Sequence, residues 1–126
     1  MNLLKLGTLL ISALFIVTPV LAAGPVTKTV EALNLEGSKL GGQQVQVSGK
    51  VVKVNNGIMK RNFLHIQDGS GQQGSNDITI TSNQTASVGD EVTVVGTVAV
   101  NRDFGFGYAY PILVEDSQIT VTKKGQ

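Results

Sequence analysis

The residues with the clearest chemical character lie in one short stretch, NRDFGFGYAY, at positions 101–110. Four of the chain's six Phe and Tyr residues occupy every second position there, and the chain has no Trp: Phe104, Phe106, Tyr108 and Tyr110. Side chains at i, i+2 and i+4 of an extended chain point to the same side, so an extended stretch would carry a row of rings on one face. Such a row is either hydrophobic core or a platform for a planar ligand.

A second candidate segment, NFLHIQ at 62–67, alternates between two kinds of side chain. Leu64 and Ile66 share one face, which we expect to be buried. The opposite face then carries three side chains that point outward from the strand and are available to a ligand: Phe63, His65 and Gln67.

The segment DITITS, at 77–82, repeats this alternation, with Ile78 and Ile80 on the buried side and Thr79 and Thr81 on the outer side. The loops NNGIMKR and NRDFGFGYAY would flank this outer face, and they bring positive charge to its rim through Lys60, Arg61 and Arg102. Rings beside cations are suited to bases, sugars and phosphate or carboxylate groups.

The chain has few residues suited to catalysis or to metal binding. The chain has no Cys and a single His, and Met59, His65 and Asp68 make an unconvincing ligand set, so we predict no metal site and no cofactor. His65 has no partnered nucleophile at a readable spacing, so we predict no enzymatic activity. A small hydrolase stays open only because export and one His do not exclude it.

The first 22 residues have the features of a secretory signal peptide. Lys5 precedes the apolar run LGTLLISALFIV, and Val20 and Ala22 fit the small-x-small cleavage rule, which predicts cleavage after Ala22. The run is too short for a membrane span, although an uncleaved anchor is the alternative. We therefore expect a periplasmic protein with no membrane span after cleavage.

The charge of the predicted mature chain is balanced. The whole chain has ten Lys and Arg and nine Asp and Glu, and Lys5 leaves with the leader. Proteins that bind nucleic-acid phosphate strongly are usually basic, so this balance argues against strong nucleic-acid binding.

The elements that must position these residues are mostly strands. We predict one short helix near 27–35, with Val30, Leu33 and Leu35 as its apolar residues. NNG at 55–57 predicts a turn. Val-rich or alternating segments predict five strands, at 45–54, 62–67, 77–82, 91–100 and 110–121.

Two of these strands share one pattern. Residues 42–51 and 89–98 both read G-x-x-V-x-V-x-G-x-V, which places Gly49 and Gly96 inside long strands. A strand that bends at a Gly can pair with different neighbours at its two ends, which closes a small sheet into a barrel. We therefore predict an all-β, five-stranded Greek-key OB-fold barrel at 45–122, preceded by the helical segment 23–44, with a small β-sandwich as the alternative. The helix usual between strands three and four of an OB-fold has little room in TSNQTASVG.

Parts of the chain resemble known OB-fold proteins. KVNNGIMKRNFLHIQDGSG, VGDEVTVVGTVAV and DFGFGYAYPILVEDSQI are similar to a family of small exported bacterial OB-fold proteins, described as nucleic-acid- or nucleotide-binding. NFLHIQDGSG also resembles the second strand of anticodon-binding OB domains, whose pattern is matched by Phe63, Leu64, Ile66, Asp68 and Gly71. In that family the Phe faces outward and stacks on a base.

Two hypotheses for function follow. The first is a non-catalytic binding module for a single-stranded oligonucleotide, a nucleotide or another extended or planar ligand such as a saccharide. The second is an accessory module that binds a protein partner in the cell envelope, in a redox or stress system. The aromatic row fits the first as a stacking platform, and it fits the second if its rings only cap one end of the barrel.

Overall fold

The computed structural model describes residues 24–126 and the isolated residue Ala13, so the predicted leader otherwise lies outside the described residues. The described chain has one α-helix, one 3₁₀ helix and six strands. Their bounds are β1 Val26–Thr27, α1 Val30–Glu36, the 3₁₀ helix Gly37–Lys39, β2 Gln44–Ile58, β3 Arg61–Gln67, β4 Ile78–Ser82, β5 Glu91–Asp103 and β6 Ala109–Lys123.

All five predicted strands are present, as β2 to β6, and the short β1 adds a sixth. The turn predicted at 55–57 is wrong, because β2 continues to Ile58 and the reversal is a two-residue turn at Met59 and Lys60. Gly57 takes the left-handed conformation (φ 72°) where the pairing of β2 with β3 shifts register, so its flexibility serves a bulge inside the strand.

Strand β2 changes partner half-way along its length. Its first half pairs with β5 and its second half with β3, and Lys50 lies opposite both Glu91 and Gln67. The backbones approach closely here: a Cβ on Gly49 would lie 2.6 Å from the carbonyl oxygen of Gln67. We expect such a close approach of two backbones where a strand bends at a Gly.

The pairings form a circuit with one weak junction. The order is β1-β2-β3-β4-β6-β5, and β5 also pairs with β2. Strands β4 and β6 share the single pair Ile80 and Val114. Side chains complete this junction: the Ser82 hydroxyl donates to the Ser117 carbonyl, and the Ile119 N–H donates to Gln84 Oε1 (2.7 Å).

The core lies inside this circuit and is built from Val, Ile and Leu of β2 to β6. Helix α1 contributes Val30 and Leu33 to it, whereas Leu35, the third apolar residue of the predicted helix, is 70% exposed. The loop after β3 holds the helix start, because Asp68 Oδ2 accepts from the Val30 N–H and Ser70 Oγ from the Glu31 N–H, each at 3.0 Å. The helix therefore covers part of the core.

Candidate functional site

The aromatic stretch is a hairpin and not one extended row. Strand β5 ends at Asp103 and β6 begins at Ala109, so the chain reverses between them. The Phe104 N–H donates to the Tyr108 carbonyl, and the Tyr108 N–H donates to the Gly105 carbonyl, both at 2.9 Å. The four rings of the stretch therefore divide into two groups.

Three of these rings pack around Phe63 of β3. The centroid of the Phe63 ring lies 5.3 Å from Phe104, 5.4 Å from Tyr108 and 5.9 Å from Tyr110. Burial, and then the neighbouring Tyr108, raise the pKa of the Tyr110 hydroxyl. We call these four residues the aromatic cluster.

The prediction that Phe63 is free to stack on a ligand is wrong. Phe63 lies outside the core cluster that contains Leu64 and Ile66, as the alternation along β3 predicted. Its exposed fraction is nevertheless 0%. The hairpin folds over this side of β3 and covers the ring. The aromatic cluster is therefore a second small hydrophobic core outside the main one, and it does not enter the main core as a cap.

Phe106 has the opposite environment. It lies at the tip of the hairpin, and 94% of its surface is exposed. Its φ of 55° is left-handed, between Gly105 (81°) and Gly107 (84°). This conformation costs a residue such as Phe about 1–2 kcal/mol, so the requirements of the turn do not account for a ring at this position.

Two cations lie against the aromatic cluster. The guanidinium carbon of Arg61 is 4.9 Å from the Phe104 ring centroid, and that of Arg102 is 4.7 Å away. Arg102 Nε also donates to Glu115 Oε1 at 2.8 Å. The structure thus brings together Arg61 and Arg102, with Lys60 exposed at the adjacent turn, as the sequence predicted.

The outer face of β3 and β4 is less open than predicted. His65 is partly exposed, and its Nδ1 lies 2.8 Å from Asp77 Oδ1. Thr79 and Thr81 are only 6% and 2% exposed, so their prediction as outward, ligand-accessible residues is wrong. Strand β4 lies between β3 and β6 and is buried along its whole length, so both of its faces are covered.

Gln67 belongs to a different surface. It lines a cleft of about 520 Å³ where β2 changes partner, together with Lys50, Val52, Asp68 and Glu91. Gln67 ends β3 whereas Arg61 begins it, so Gln67 lies about 20 Å from the hairpin turns at a strand rise of about 3.3 Å per residue. The predicted set of ligand residues is therefore split between two ends of β3.

Three carboxylates have roles that the sequence reasoning missed. Asp77 pairs with His65, and Glu115 with Arg102, and neither is near its partner in sequence. The sequence placed Asp68 only in an OB-domain motif and in a rejected set of metal ligands. Burial alone would raise the pKa of Asp68, but hydrogen bonds from the Ser70 hydroxyl and the Val30 N–H hold it below its usual value.

Within residues 24–126, no three His, Asp or Glu side chains are grouped so as to hold a metal ion. In the same part of the chain, no helix has the length and hydrophobicity needed to cross a membrane.

No protein-family model and no curated protein sequence matches the chain. Solved structures do match. An aspartyl-tRNA synthetase from Leishmania major Friedlin superposes with a TM-score of 0.58 at 16% identity over 87% of this chain. An asparaginyl-tRNA synthetase from Entamoeba histolytica, in complex with asparaginyl-adenylate, has a TM-score of 0.56 at 10% identity over 81% of this chain.

A small protein also superposes on this chain. An OBody bound to hen egg-white lysozyme has a TM-score of 0.53 at 16% identity, over 69% of this chain and 88% of its own. The chain has an OB-like fold. It corresponds to only 23% and 25% of the two synthetase chains, so their likeness concerns one OB-like part of larger proteins.

Proposed function

We propose that this protein is an exported, non-catalytic OB-fold binding module that acts in the periplasm. Its ligand is a short single-stranded oligonucleotide, a nucleotide or another planar ligand with an anionic group. The site is the rim formed by the two neighbouring hairpin turns, at 58–61 and 103–109. One observation supports this most directly: Arg61 and Arg102 both rest on the Phe104 ring, with Lys60 beside them.

The two guanidinium groups are suited to such a ligand. A guanidinium held against a ring loses little entropy on binding, donates hydrogen bonds in its plane and stacks on bases through its face. Among residues 24–126, neither Lys60 nor Arg61 has a carboxylate within salt-bridge distance. Both charges are therefore available to phosphate or carboxylate groups.

The aromatic cluster lies beneath the two guanidinium groups, which contact it through Phe104. Phe63 cannot stack on a ligand while three rings cover it, so stacking falls to the guanidinium faces of Arg61 and Arg102. The OB-like fold is consistent with a binding role, since the OBody that shares it is bound to a protein.

The second candidate, a protein partner in the cell envelope, is supported by charge. Nine basic and nine acidic residues remain after removal of the predicted leader, which favours a partner of mixed charge over long nucleic acids. Loss of oligonucleotide binding at all salt concentrations, with the fold intact, would favour this candidate.

The test is fluorescence anisotropy with a labelled oligothymidylate of about 10 nucleotides, the length that one OB-fold covers. We expect binding at about 50 mM salt that weakens with a shallow slope of about −2 in log–log form, because three cations contact the strand. Arg61→Ala should weaken binding about 10-fold, whereas Lys39→Ala, an exposed cation of the 3₁₀ helix, should not change it. Equal loss in both variants, or no binding at low salt, would overturn the proposal.

Export is tested separately. Mass spectrometry of the protein recovered from the periplasm should give a chain that begins at Ala23. An intact Met1 in that fraction would contradict cleavage, and recovery only from the cytoplasm would contradict export.

A further inference from the structure

Two surface features are open to solvent. One is the Phe106 ring, which protrudes from the tip of the β5–β6 hairpin with 94% of its surface exposed. The other is the cleft of about 520 Å³ at the Gly49 bend of β2. They are of different kinds, a protruding apolar ring and a depression.

The tip holds Phe106 in a defined position. The Gly105 N–H donates to Asp103 Oδ1 at 2.8 Å, which adds to the two backbone hydrogen bonds between Phe104, Gly105 and Tyr108. Phe104 and Tyr108, on either side of the tip, are fixed against Phe63. A ring displayed on a fixed turn loses little conformational entropy when it is buried by a partner, as is typical of interface anchors.

The cleft has the size and lining to receive a ring. Cavities of about 150 Å³ hold a benzene molecule, so the space is sufficient. Val92 and Val52 both line the cleft, and Val52 is 37% exposed, so part of the lining is apolar. Gly49 and Gly69 carry no side chains that would obstruct entry.

Charges on the two surfaces are complementary. The cleft carries Asp68 and Glu91 beside a single cation, Lys50, with no salt bridge joining Lys50 to either within residues 24–126. The rim formed by the two hairpin turns, together with Glu115, which pairs with Arg102, carries the opposite excess, three cations beside two carboxylates. They are Lys60, Arg61, Arg102, Asp103 and Glu115.

We propose that this protein associates with itself head to tail, with Phe106 of one copy inserted into the Gly49 cleft of the next. The ring cannot enter the cleft of its own chain, because the two features lie at opposite ends of β3, about 20 Å apart. The contact joins two different surfaces, so it is heterologous, and copies add in a row unless the rotation closes a ring. One small contact per copy makes the association weak, with a dissociation constant of about 0.1–1 mM.

This inference does not depend on the proposed function, since it needs no other ligand. Sedimentation equilibrium of the protein without leader, at concentrations up to about 1 mM, should give an average mass that rises above that of the monomer. Phe106→Asn and Val52→Lys should each remain monomeric. Asn tolerates the left-handed φ of this turn, so the hairpin is expected to stay folded.

Two matched variants serve as controls. Leu35→Asn removes another exposed apolar residue (70% exposed), and Val88→Lys adds a charge at another exposed Val (62%). Both should associate like the wild type. If they also lose association, general surface hydrophobicity is responsible and the proposal is wrong.

Mixing the two monomeric variants gives the sharpest result. Phe106→Asn retains the cleft and Val52→Lys retains the tip, so together they should form a heterodimer and nothing larger. With ¹⁵N-labelled Phe106→Asn, the amide signals of Lys50, Gln67 and Glu91 should shift on addition of unlabelled Val52→Lys, and those of Lys39 should not. A wild type that is monomeric throughout, or a mixture without these shifts, would overturn the proposal.

Discussion

At the residue scale, the two exceptional aromatic residues are Phe63 and Phe106. Phe63 leaves β3 on its outer side and is nevertheless 0% exposed, because the hairpin folds over it, whereas Phe106 points away from the same hairpin and is 94% exposed. Phe63 therefore acts as a core residue, and a binding role falls to the surface above it. The two residues offer a direct comparison of a ring that stabilises the fold with one that does not.

Truncation of these two rings should have very different costs. We expect Phe63→Ala to lower the free energy of unfolding by about 3–5 kcal/mol, because it removes the centre of the aromatic cluster. Phe106→Ala should change it by less than about 0.5 kcal/mol, since the ring makes few contacts. Urea denaturation followed by circular dichroism measures both. Similar midpoints for the two variants would contradict the aromatic cluster as a second core.

At the element scale, bent strands and a loop-capped helix position the site. Strand β2 turns from β5 to β3 near Gly49, and β5 shifts register against β6 at Gly96. The β3–β4 loop supplies the polar groups that the first turn of α1 lacks, through Asp68 and Ser70. Both features depend on residues that are distant in sequence. At the strand glycines the contact is between two backbones, and at the start of α1 it is between side chains and the backbone.

Side chains at the two strand glycines should be strongly destabilising. A Cβ would lie 2.6 Å from the Gln67 carbonyl oxygen at Gly49 and 2.8 Å from the Glu115 carbonyl oxygen at Gly96, and neither backbone can move freely. We expect Gly49→Val and Gly96→Val to cost about 1–3 kcal/mol each. Gly24→Val is the control, because no atom lies within 4 Å of its Cβ position. Denaturation midpoints equal to that of the control would refute the close approach.

The Asp68 cap predicts a dependence of stability on acid. Its pKa is lowered from the ordinary value of 3.8, so the ionised carboxylate stabilises the fold above that pH and this contribution is lost as pH falls through the lowered pKa. Asp68→Asn should be less stable than wild type at pH 6, by about 0.5–1 kcal/mol, and the difference should shrink towards pH 2.

Thermal unfolding of wild type and variant between about pH 6 and pH 2 makes this measurement. Asp116→Asn is the matched control, since the Asp116 carboxylate accepts no hydrogen bond from residues 24–126. A constant difference between wild type and Asp68→Asn across the pH range would show that the charge of Asp68 has no part in the cap.

At the scale of the whole molecule, the decisive feature is the junction between β4 and β6. One residue pair and a few side-chain hydrogen bonds join these strands, whereas the other long strands share extended ladders. Ser82 and Gln84 therefore do what backbone pairing does elsewhere in the circuit.

Loss of these side-chain bonds should open the circuit. Ser82 is 2% exposed, so Ser82→Ala should cost about 1–3 kcal/mol by leaving the Ser117 carbonyl without its partner. Gln84 is exposed and accepts from the Ile119 N–H, so Gln84→Ala should cost about 0.5–1.5 kcal/mol, the net contribution of one hydrogen bond. Hydrogen exchange should show faster exchange of the Ile119 amide in Gln84→Ala. Asn83→Ala, an exposed neighbour, is the control, and a cost equal to that of Gln84→Ala would contradict the role of the junction.

The sequence by itself determined the positions of the five long strands and which side of β3 each side chain leaves. It also located the strand glycines where backbones meet and the cations that gather near Phe104. These follow from local rules: the two-residue period of a strand, the lack of a Cβ in Gly, and the order of loops along the chain.

Only the tertiary structure decided what covers each face. The burial of Phe63 and Thr79, the exposure of Leu35 and Phe106, and the pairing of His65 with Asp77 depend on segments that are distant in sequence. A periodic pattern gives the direction of a side chain from its own backbone, but the neighbour it meets there is set by the packing of the other elements. The turn at Met59 and Lys60 was missed for a related reason, since pairing with β3 carried β2 past a local turn signal.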